Sequence, residues 1–539
     1  MRSSRPIQWT DSPPPSRAGA LWSALAWSWL MSPMLWMWPG PRALTDVLVS
    51  AVLLLALWLW RPTLRAAAVV LLLVGVVYLG YYLAVQSVPD EYFWFSVLSA
   101  TWQEAHEYAE SYRLADVLRV VLWLIPALAA VVWLWRRGQP LAGRWRWLGW
   151  ALLALWLAYA AVSAVKGKGV DAALRKVGRV YPTALAESYL RYAKVSNAMF
   201  VVPPAPPPAA APLADVVVMV IGESASAQRW SLLGYTGNPT NAALEPWRSS
   251  MVALPVHTNG NNTAQTVPVL LTGQAMDQLP ATGVATYLDK ARSAGFSVAT
   301  HSNQRSFGVG QSFFFTAFRQ RSDQFTVQQD GQFDGNLSAL LDQQLHTTAR
   351  AQRPSLITLH LYGSHPRVNK RYPAEFAKWD DPYDNSLAYT SALLADWMAQ
   401  LNRITDKRVL LVYISDHGLS FANCGGSYVH GATRSAYEVP LLLWGNAPFR
   451  QSNAAWWQQW QARSQHALLP DGRLRYTNLL APLALDDVLG VNATTRLPAA
   501  PAADAWTAYR YPPEDGARQC AVWKPYDLPA VLKQAGAVQ

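Results

Sequence analysis

The first third of the chain contains a series of long apolar segments, which restricts the folds open to it. Each is close to the roughly 20 residues that an α-helix needs to cross a bilayer. Charged residues make up only 15% of the chain, and its 27 tryptophans suit membrane spans and their interfaces. The sequence therefore predicts five transmembrane helices, at about 20–39, 43–60, 64–86, 117–135 and 147–165.

Basic residues are unevenly distributed around these segments. They precede the first segment and lie between the second and third and between the fourth and fifth, which places them all on one side if every segment spans. Because basic loops stay in the cytoplasm, five crossings put everything after residue 166 outside. We expect a multi-pass membrane protein whose C-terminal part lies outside the cytoplasm, in the periplasm if the cell is Gram-negative; a buried helical bundle is the alternative.

The charge balance of the chain bears on its partners. Its formal net charge is +11, from 45 Lys and Arg against 34 Asp and Glu. Such a surplus suits nucleic acid or a surface beside anionic lipid head groups. Because the sequence contains no nucleic-acid-binding motif, we expect membrane lipid, and no nucleic acid, as a partner.

The chain has two cysteines, Cys424 and Cys520. They lack the clustered spacing of a cysteine zinc site. A disulfide outside the cytoplasm and two free buried thiols both remain open.

A change of composition divides the chain near residue 200. Residues 169–200 alternate basic and apolar groups, as a helix on a membrane surface does. The prolines of 201–215 favour a stiff, extended spacer. The predicted organisation is a transmembrane domain at 1–168, an interfacial helix and linker at 169–215, and a periplasmic domain at 216–539.

Four apolar runs in the periplasmic domain predict buried strands. The runs at 215–224, 355–365 and 408–418 are rich in apolar residues and end in polar ones, and 295–303 is a weaker copy. This pattern is typical of strands that are buried on both faces of a parallel sheet. Helical stretches lie between the runs, for example at 284–294 and 386–402. The expected fold class is α/β, with a mostly parallel sheet between helices.

Residues with metal or phosphate chemistry end three of these runs: Glu223, His365, and the pair Asp416 and His417. Ligands in open α/β sheets bind beyond the carboxyl ends of the strands. Carboxylates and imidazoles are ligands that Zn²⁺ accepts. A hydroxyl at the open position of a catalytic zinc loses its proton more easily. The sequence therefore predicts a metal site at this edge of the sheet.

The candidate hydroxyl is that of Thr263. It follows Asn261 and Asn262 and opens a predicted helix. A helix start offers backbone N–H groups and a positive dipole end to a phosphoryl oxygen. Thr266 in the same run is the rival nucleophile.

Six short runs, in this order along the chain, carry a family resemblance. They are GESASAQRWSLLGY (222–235), NTAQTVP (262–268), GSHPRVNKRYP (363–373), YDNSLAYT (383–390), SDHG (415–418) and YVHG (428–431). With the five-span layout, they resemble the phosphoethanolamine transferases of the alkaline phosphatase and sulfatase superfamily, which include lipid A modifying enzymes. The resemblance implies a five-helix transmembrane bundle followed by an alkaline-phosphatase/sulfatase-like catalytic domain.

The resemblance also implies residue roles. The implied zinc ligands are Glu223, Thr263, Asp416 and His417. Thr263 would be the nucleophile, and one tight zinc site is expected, with a second left open. His365 and His430 match family histidines near the transferred phosphate. They would hold phosphate oxygens or a second metal, or protonate the leaving group.

The implied reaction has two steps. Thr263 attacks the phosphorus of phosphatidylethanolamine, and diacylglycerol leaves. The phosphoethanolamine on Thr263 then passes to an envelope glycan or lipid, namely lipid A, the lipopolysaccharide core or a periplasmic glucan.

Two positions depart from the family pattern. Leu419 stands where the family often has Glu, and Glu438 where many members have His. These departures concern the head-group contacts more than the metal core. The competing functions are a glycerol-phosphate transferase or a phosphate- or sulfate-ester hydrolase of the same superfamily, and a non-catalytic membrane scaffold.

Overall fold

A computed structural model describes most of the chain. The described ranges are 17–33, 55–85, 91–99, 114–140, 144–166, 183–199, 203–274, 282–304, 313–328, 332–350, 353–421, 428–431, 433–468 and 474–491, with a few isolated positions between them. The chain forms two compact units, which are Met1–Glu91 with Arg113–Leu190, and Tyr92–Tyr112 with Arg191–Gln539. The two units are described separately. Cys424 and Cys520 lie outside the described residues.

The described part of the chain before residue 200 is helical. Its α-helices are α1 (Arg17–Met31), α2 (Arg61–Val85), α3 (Glu91–Ser99), α4 (Leu114–Arg137), α5 (Arg144–Val165) and α6 (Thr183–Met199). Two of them contain segments long and apolar enough to cross a membrane, Arg61–Leu83 in α2 and Leu114–Arg137 in α4. The predicted segments 64–86, 117–135 and 147–165 fall within α2, α4 and α5 or within one residue of them, and α1 covers the start of 20–39.

The five-span layout is not confirmed by these helices. Most of the predicted segment 43–60 lies outside the described residues, and only a short 3₁₀ turn, Leu55–Leu59, is described within it. Among the described residues, two helices meet the criteria of length and composition for a membrane span. The remaining crossings, and the domain boundaries at 168 and 215, stay predictions.

Helices α1, α2 and α4 pack together through one apolar cluster that includes Leu30, Leu64 and Leu134. Their other faces expose large apolar side chains, among them Leu122 (69% exposed) and Ile125 (61% exposed). Such a surface is unfavourable in water but suits hydrocarbon. The exposed faces are therefore those expected of helices in lipid.

The second unit contains a seven-stranded sheet. Its strands are β1 (Val216–Gly222), β2 (Met251–His257), β3 (Ser297–Ser302), β4 (Gln324–Val327), β5 (Ser355–His360), β6 (Val409–Ser415) and β7 (Glu438–Gly445). Their order is β2-β7-β6-β1-β5-β3-β4. All neighbours are parallel except β7, which is antiparallel to both β2 and β6. The predicted α/β fold with a mostly parallel sheet is confirmed.

Three strands were not predicted, and proline explains two of them. Pro255 in β2 and Pro440 in β7 face each other in the antiparallel register. Proline lacks an N–H donor and argues against a strand interior. β2 is an edge strand, and β6 pairs with β7 only from Leu441 onward, so neither proline removes a hydrogen bond from the parallel part of the sheet. The third strand, β4, is short and partly exposed.

Both faces of the sheet are covered by helices. An apolar core lies on each face of the sheet. Alternate residues of β1 point to opposite faces, so Met219 packs in one core and Val218 in the other. The helices of this unit, among the described residues, are α7 (Thr263–Thr272), α8 (Tyr287–Ser293), α9 (Phe313–Arg321), α10 (Asn336–Arg350), α11 (Pro382–Asn402), α12 (Arg434–Tyr437), α13 (Ala447–Ser452), α14 (Ala454–Gln465) and α15 (Leu480–Val488). Because β1 pairs with both β5 and β6, the loops that follow these three strands meet at one edge.

Candidate active site

The end of β1 sets the position of the first two acidic residues. Gly222 pairs with Ser415 of β6, so Glu223 and Asp416 leave the sheet side by side. Ser224 then takes a left-handed conformation, with φ of 57°. This conformation is unusual for a residue with a side chain. The turn directs the Ser224 N–H to Asp416 Oδ1, which accepts it at 3.2 Å.

His417 presents one ring nitrogen to these carboxylates. Its Nδ1–H donates to the carbonyl oxygen of Gly418 at 2.8 Å. Nε2 lies 3.3 Å from Glu223 Oε1 and 3.4 Å from Asp416 Oδ2. A backbone acceptor on one nitrogen fixes the tautomer and leaves the other to bind a metal, as in many metal-ligating histidines.

Thr263 begins α7 and faces the same point. Asn262 caps the helix, because its side-chain oxygen accepts the Gln265 N–H. Thr263 Oγ1 donates to Glu223 Oε2 at 3.1 Å and lies 3.4 Å from His417 Nε2. The rival Thr266 is buried and donates to the backbone oxygen of Asn262 at 3.0 Å. The geometry therefore favours Thr263 as the reactive hydroxyl.

The Glu223, Asp416 and His417 side chains form a buried group whose ligand atoms lie within 4.8 Å of one another. Tetrahedral zinc ligands that are about 2.0 Å from the ion are about 3.3 Å apart. The four contacts among Glu223, Thr263, Asp416 and His417 are 3.1–3.4 Å long. Asp416 Oδ2 is buried, and within the described part of the chain it accepts no hydrogen bond. The donor atoms thus fit a zinc ion.

The charges of this group depend on one another. Burial raises the pKa of Glu223, but the positive charge of His417 outweighs it and holds that pKa well below its usual value. Burial and the Glu223 charge raise the pKa of Asp416 to about 7. Burial lowers the pKa of His417, yet both carboxylates together raise it to about 9. Without a metal, the acidic pair therefore holds a proton on His417 that a bound cation would displace.

Gln304 is a further contact that sequence reasoning did not find. Its side-chain amide donates to Glu223 Oε2 at 3.0 Å and to the carbonyl oxygen of Leu361 at 2.7 Å. Gln304 follows β3, whose carboxyl end lies at the same edge of the sheet. Its position just after a predicted strand was the one sign in the sequence that Gln304 could lie at the site. Glutamine is common on protein surfaces, so its residue type gave no further indication.

His365 and His430 lie beside the carboxylate group. The His430 ring centroid is 4.9 Å from that of His417 and 5.9 Å from that of His365. His430 Nδ1–H donates to the carbonyl oxygen of Asn261 at 3.3 Å. Burial lowers the pKa of His365 to about 3 and that of His430 to about 4. Both rings are thus neutral at neutral pH, and each offers one N–H donor and one lone pair.

The two departures from the family pattern have structural partners. Leu419 is fully buried in the same apolar cluster as Tyr383 and Phe421. Glu438 is also buried, and its carboxylate accepts hydrogen bonds from Arg434 Nε and, at 2.9 Å, from Gln228 Nε2. Glu438 is therefore held in an ion pair at the start of β7.

The chain is similar to one protein family and to several named transferases. Residues 215–471 match the sulfatase family. The putative transferase YhbX of Escherichia coli K12 is 33% identical over 245 residues, which are 43% of each chain, so the match spans less than half of that relative. The phosphoethanolamine transferase CptA of Salmonella typhimurium is 25% identical over 531 residues, covering 85% of this chain and 87% of CptA.

A solved structure extends the likeness to the whole fold. The integral membrane protein lipooligosaccharide phosphoethanolamine transferase A (EptA) of Neisseria meningitidis covers 89% of this chain and 97% of its own, with a TM-score of 0.59. At 18% identity, this match shows a shared fold. Residues 215–471 therefore form a sulfatase-family domain, and a phosphoethanolamine transferase is similar to the chain over most of its length.

Proposed function

We propose that this chain transfers phosphoethanolamine from phosphatidylethanolamine to an acceptor of the bacterial envelope, which is lipid A, the lipopolysaccharide core or a periplasmic glucan. The observation that carries the proposal is the convergence of the Thr263 hydroxyl with Glu223, Asp416 and His417. The relative CptA, itself named a phosphoethanolamine transferase, supports the identity of the transferred group. The protein would span the inner membrane and act with a periplasmic catalytic domain at 216–539.

Glu223, Asp416, His417 and Thr263 would hold one Zn²⁺ ion tightly, since their donor atoms are of the kind and spacing that zinc accepts. When bound, the ion stabilises the Thr263 alkoxide and polarises a phosphoryl oxygen. The neutral ring of His365 would donate its N–H to a phosphate oxygen. His430 donates its N–H to the Asn261 carbonyl oxygen, so its Nε2 offers a lone pair that would bind a second metal or accept a hydrogen bond.

In the first step, the Thr263 oxygen forms a bond to phosphorus while the bond from phosphorus to the diacylglycerol oxygen breaks. The proton that Thr263 gives up ends on diacylglycerol, which leaves as an alcohol. The N-terminus of α7 places backbone N–H groups and a positive dipole end beside the phosphate, because Thr263 is the first residue of that helix.

In the second step, an acceptor hydroxyl or phosphate oxygen attacks the phosphorus carried on Thr263. The Thr263–phosphorus bond breaks, and the threonine oxygen takes up the proton that the acceptor hydroxyl gives up, or one from water when a phosphate oxygen attacks. Two successive displacements at one threonine are a covalent mechanism, which divides one difficult transfer into two easier ones.

The test compares Thr263→Ala with the matched control Thr266→Ala in the full chain. Both changes remove one hydroxyl from the same helix, but only Thr263 faces Glu223. Each variant is expressed in a bacterial host, envelope lipids and glycans are profiled, and the purified protein is searched for a phosphoethanolamine adduct on residue 263. Wild type and Thr266→Ala should modify the acceptor, and Thr263→Ala should not.

Acceptor modification by Thr263→Ala at the wild-type rate would contradict the proposed nucleophile. A glycerol-phosphate adduct in place of phosphoethanolamine would assign the chain to the competing transferase. Full activity in metal-free protein would exclude the zinc mechanism.

A further inference from the structure

Asp334 is a buried carboxylate outside the proposed zinc site. It lies just before α10, and burial raises its pKa above the usual value for aspartate. Three uncharged donors bond to it: the N–H of Tyr362 and the side-chain amide of Asn303 to Oδ1, at 2.8 and 2.7 Å, and the N–H of Gly363 to Oδ2 at 2.8 Å. Burying a carboxylate costs free energy, and hydrogen bonds to its oxygens offset part of that cost.

The chemistry of this contact explains why the residue is an aspartate. Two successive backbone N–H groups, those of Tyr362 and Gly363, point to the two oxygens of one side chain. An asparagine of the same size has a single acceptor oxygen. With asparagine at position 334, one of the two buried backbone N–H groups would face the NH₂ group of the asparagine side chain and have no acceptor.

The turn that Asp334 holds packs directly on Glu223. Gly363 has a φ of 50°, and a Cβ atom there would lie 2.5 Å from the Glu223 carbonyl oxygen. Ser364 donates its N–H to that same oxygen at 2.9 Å. The turn is therefore in backbone contact with the residue that supplies a proposed zinc ligand.

His365 follows this turn, and its ring depends on the turn for its position. The imidazole stacks on the Tyr362 ring, with centroids 5.0 Å apart. Its Nδ1 is buried and has no hydrogen-bond partner among the described residues. The backbone and the Tyr362 ring therefore determine where the His365 ring lies, and Asp334 holds the backbone at Tyr362 and Gly363.

We propose that Asp334 is a positioning residue that holds the turn of residues 362–365 against Glu223 and thereby places the His365 ring at the transferred phosphate. This inference rests on the proposed function, because it concerns the same site. Asp334 acts through His365 and touches no reacting atom. Loss of such a supporting contact lowers metal affinity or activity by about 10- to 100-fold in comparable sites.

The first experiment measures the turn itself, without activity. Hydrogen–deuterium exchange of the full-length protein is compared for wild type, Asp334→Asn and the control Asp342→Asn, whose exposed side chain lies on the outer face of α10. Peptides that cover residues 361–366 should exchange faster in Asp334→Asn alone. Unchanged exchange in these peptides would overturn the inference, whatever the enzyme transfers.

The second experiment is a double-mutant cycle of Asp334→Asn with His365→Ala, read as phosphoethanolamine transfer. Alone, Asp334→Asn should lower kcat about 10- to 100-fold and leave KM nearly unchanged. In the His365→Ala background, the same change should have little further effect, because its route to the phosphate is gone. An equal loss in both backgrounds would mean that Asp334 acts by general destabilisation and would overturn the inference.

A further variant covers the case in which Asp334→Asn does not fold. Asn303→Leu removes one donor to Asp334 but leaves both backbone bonds in place. It should lower kcat several-fold, and again only when His365 is present. Failure of the proposed function is a separate result, since wild type itself would then transfer no phosphoethanolamine while the exchange experiment still reports on the turn.

Discussion

The contact of Gln304 with Glu223 predicts that a residue without charge controls zinc affinity. Gln304 lies after β3 and donates one N–H to Glu223 Oε2 at 3.0 Å and one to the Leu361 carbonyl oxygen at 2.7 Å. Methionine has nearly the same length and flexibility but no donor. Gln304→Met therefore removes both hydrogen bonds with little change of volume.

The expected magnitude follows from the orientation of the acceptor. A hydrogen bond to a charged group contributes about 1.5–3 kcal/mol. Since this bond is also present without zinc, the loss of zinc affinity comes from the orientation of the Glu223 carboxylate, and about 10- to 100-fold is typical when such a supporting contact is removed. The carboxylate loses the contact that fixes its orientation toward His417, whose Nε2 lies 3.3 Å away.

The assay is a competition between the protein and a zinc chelator of known affinity at pH 7. Gln343→Met is the matched control, because Gln343 is exposed on α10. The control should bind zinc like wild type. Equal zinc affinity in Gln304→Met and wild type, with both proteins folded, would refute the assignment of Glu223 as a zinc ligand oriented by Gln304.

Two further predictions concern pH and stability. Zinc affinity should rise with pH between 6 and 8, because His417 (pKa about 9) and, below about pH 7, Asp416 must lose protons before they bind the ion. Each released proton raises the affinity about tenfold per pH unit. An affinity that does not change with pH in the chelator competition would contradict this. Arg229→Met should destabilise the protein by about 3–5 kcal/mol, because it leaves the buried Asp384 carboxylate without its cation. Thermal unfolding should show a melting temperature lower by roughly 5–15 °C, while the exposed Arg248→Met serves as the control with little change; equal melting temperatures for the two variants would show that the buried pair adds no stability.

The sequence predicted those elements whose pattern is local and strong. The runs that became β1, β5 and β6 are apolar because both faces of these strands are buried, and their polar ends fall at one edge because the strands are parallel neighbours. Thr263 was identifiable from the asparagine that precedes it at a helix start. These signals need no knowledge of distant contacts.

Other features depend on partners that are distant along the chain. Proline is rare inside strands, and Pro255 fits β2 because β2 is an edge strand and Pro255 lies opposite Pro440. Gln304 and Asp334 carry no sequence pattern of their own, because their roles arise only where loops from different strands meet. The sequence predicts five membrane crossings, and two of the described helices meet the criteria of length and composition for a span. The other crossings stay predictions.

The most direct test of the account is the location of zinc in the protein. Crystals of the full chain grown with zinc, and measured at the zinc absorption edge, would locate the ion by anomalous scattering. One strong peak is expected about 2 Å from the Thr263 oxygen, the Glu223 and Asp416 carboxylates and His417 Nε2. A zinc-loaded protein whose ion lies elsewhere, with these four side chains unligated, would contradict it.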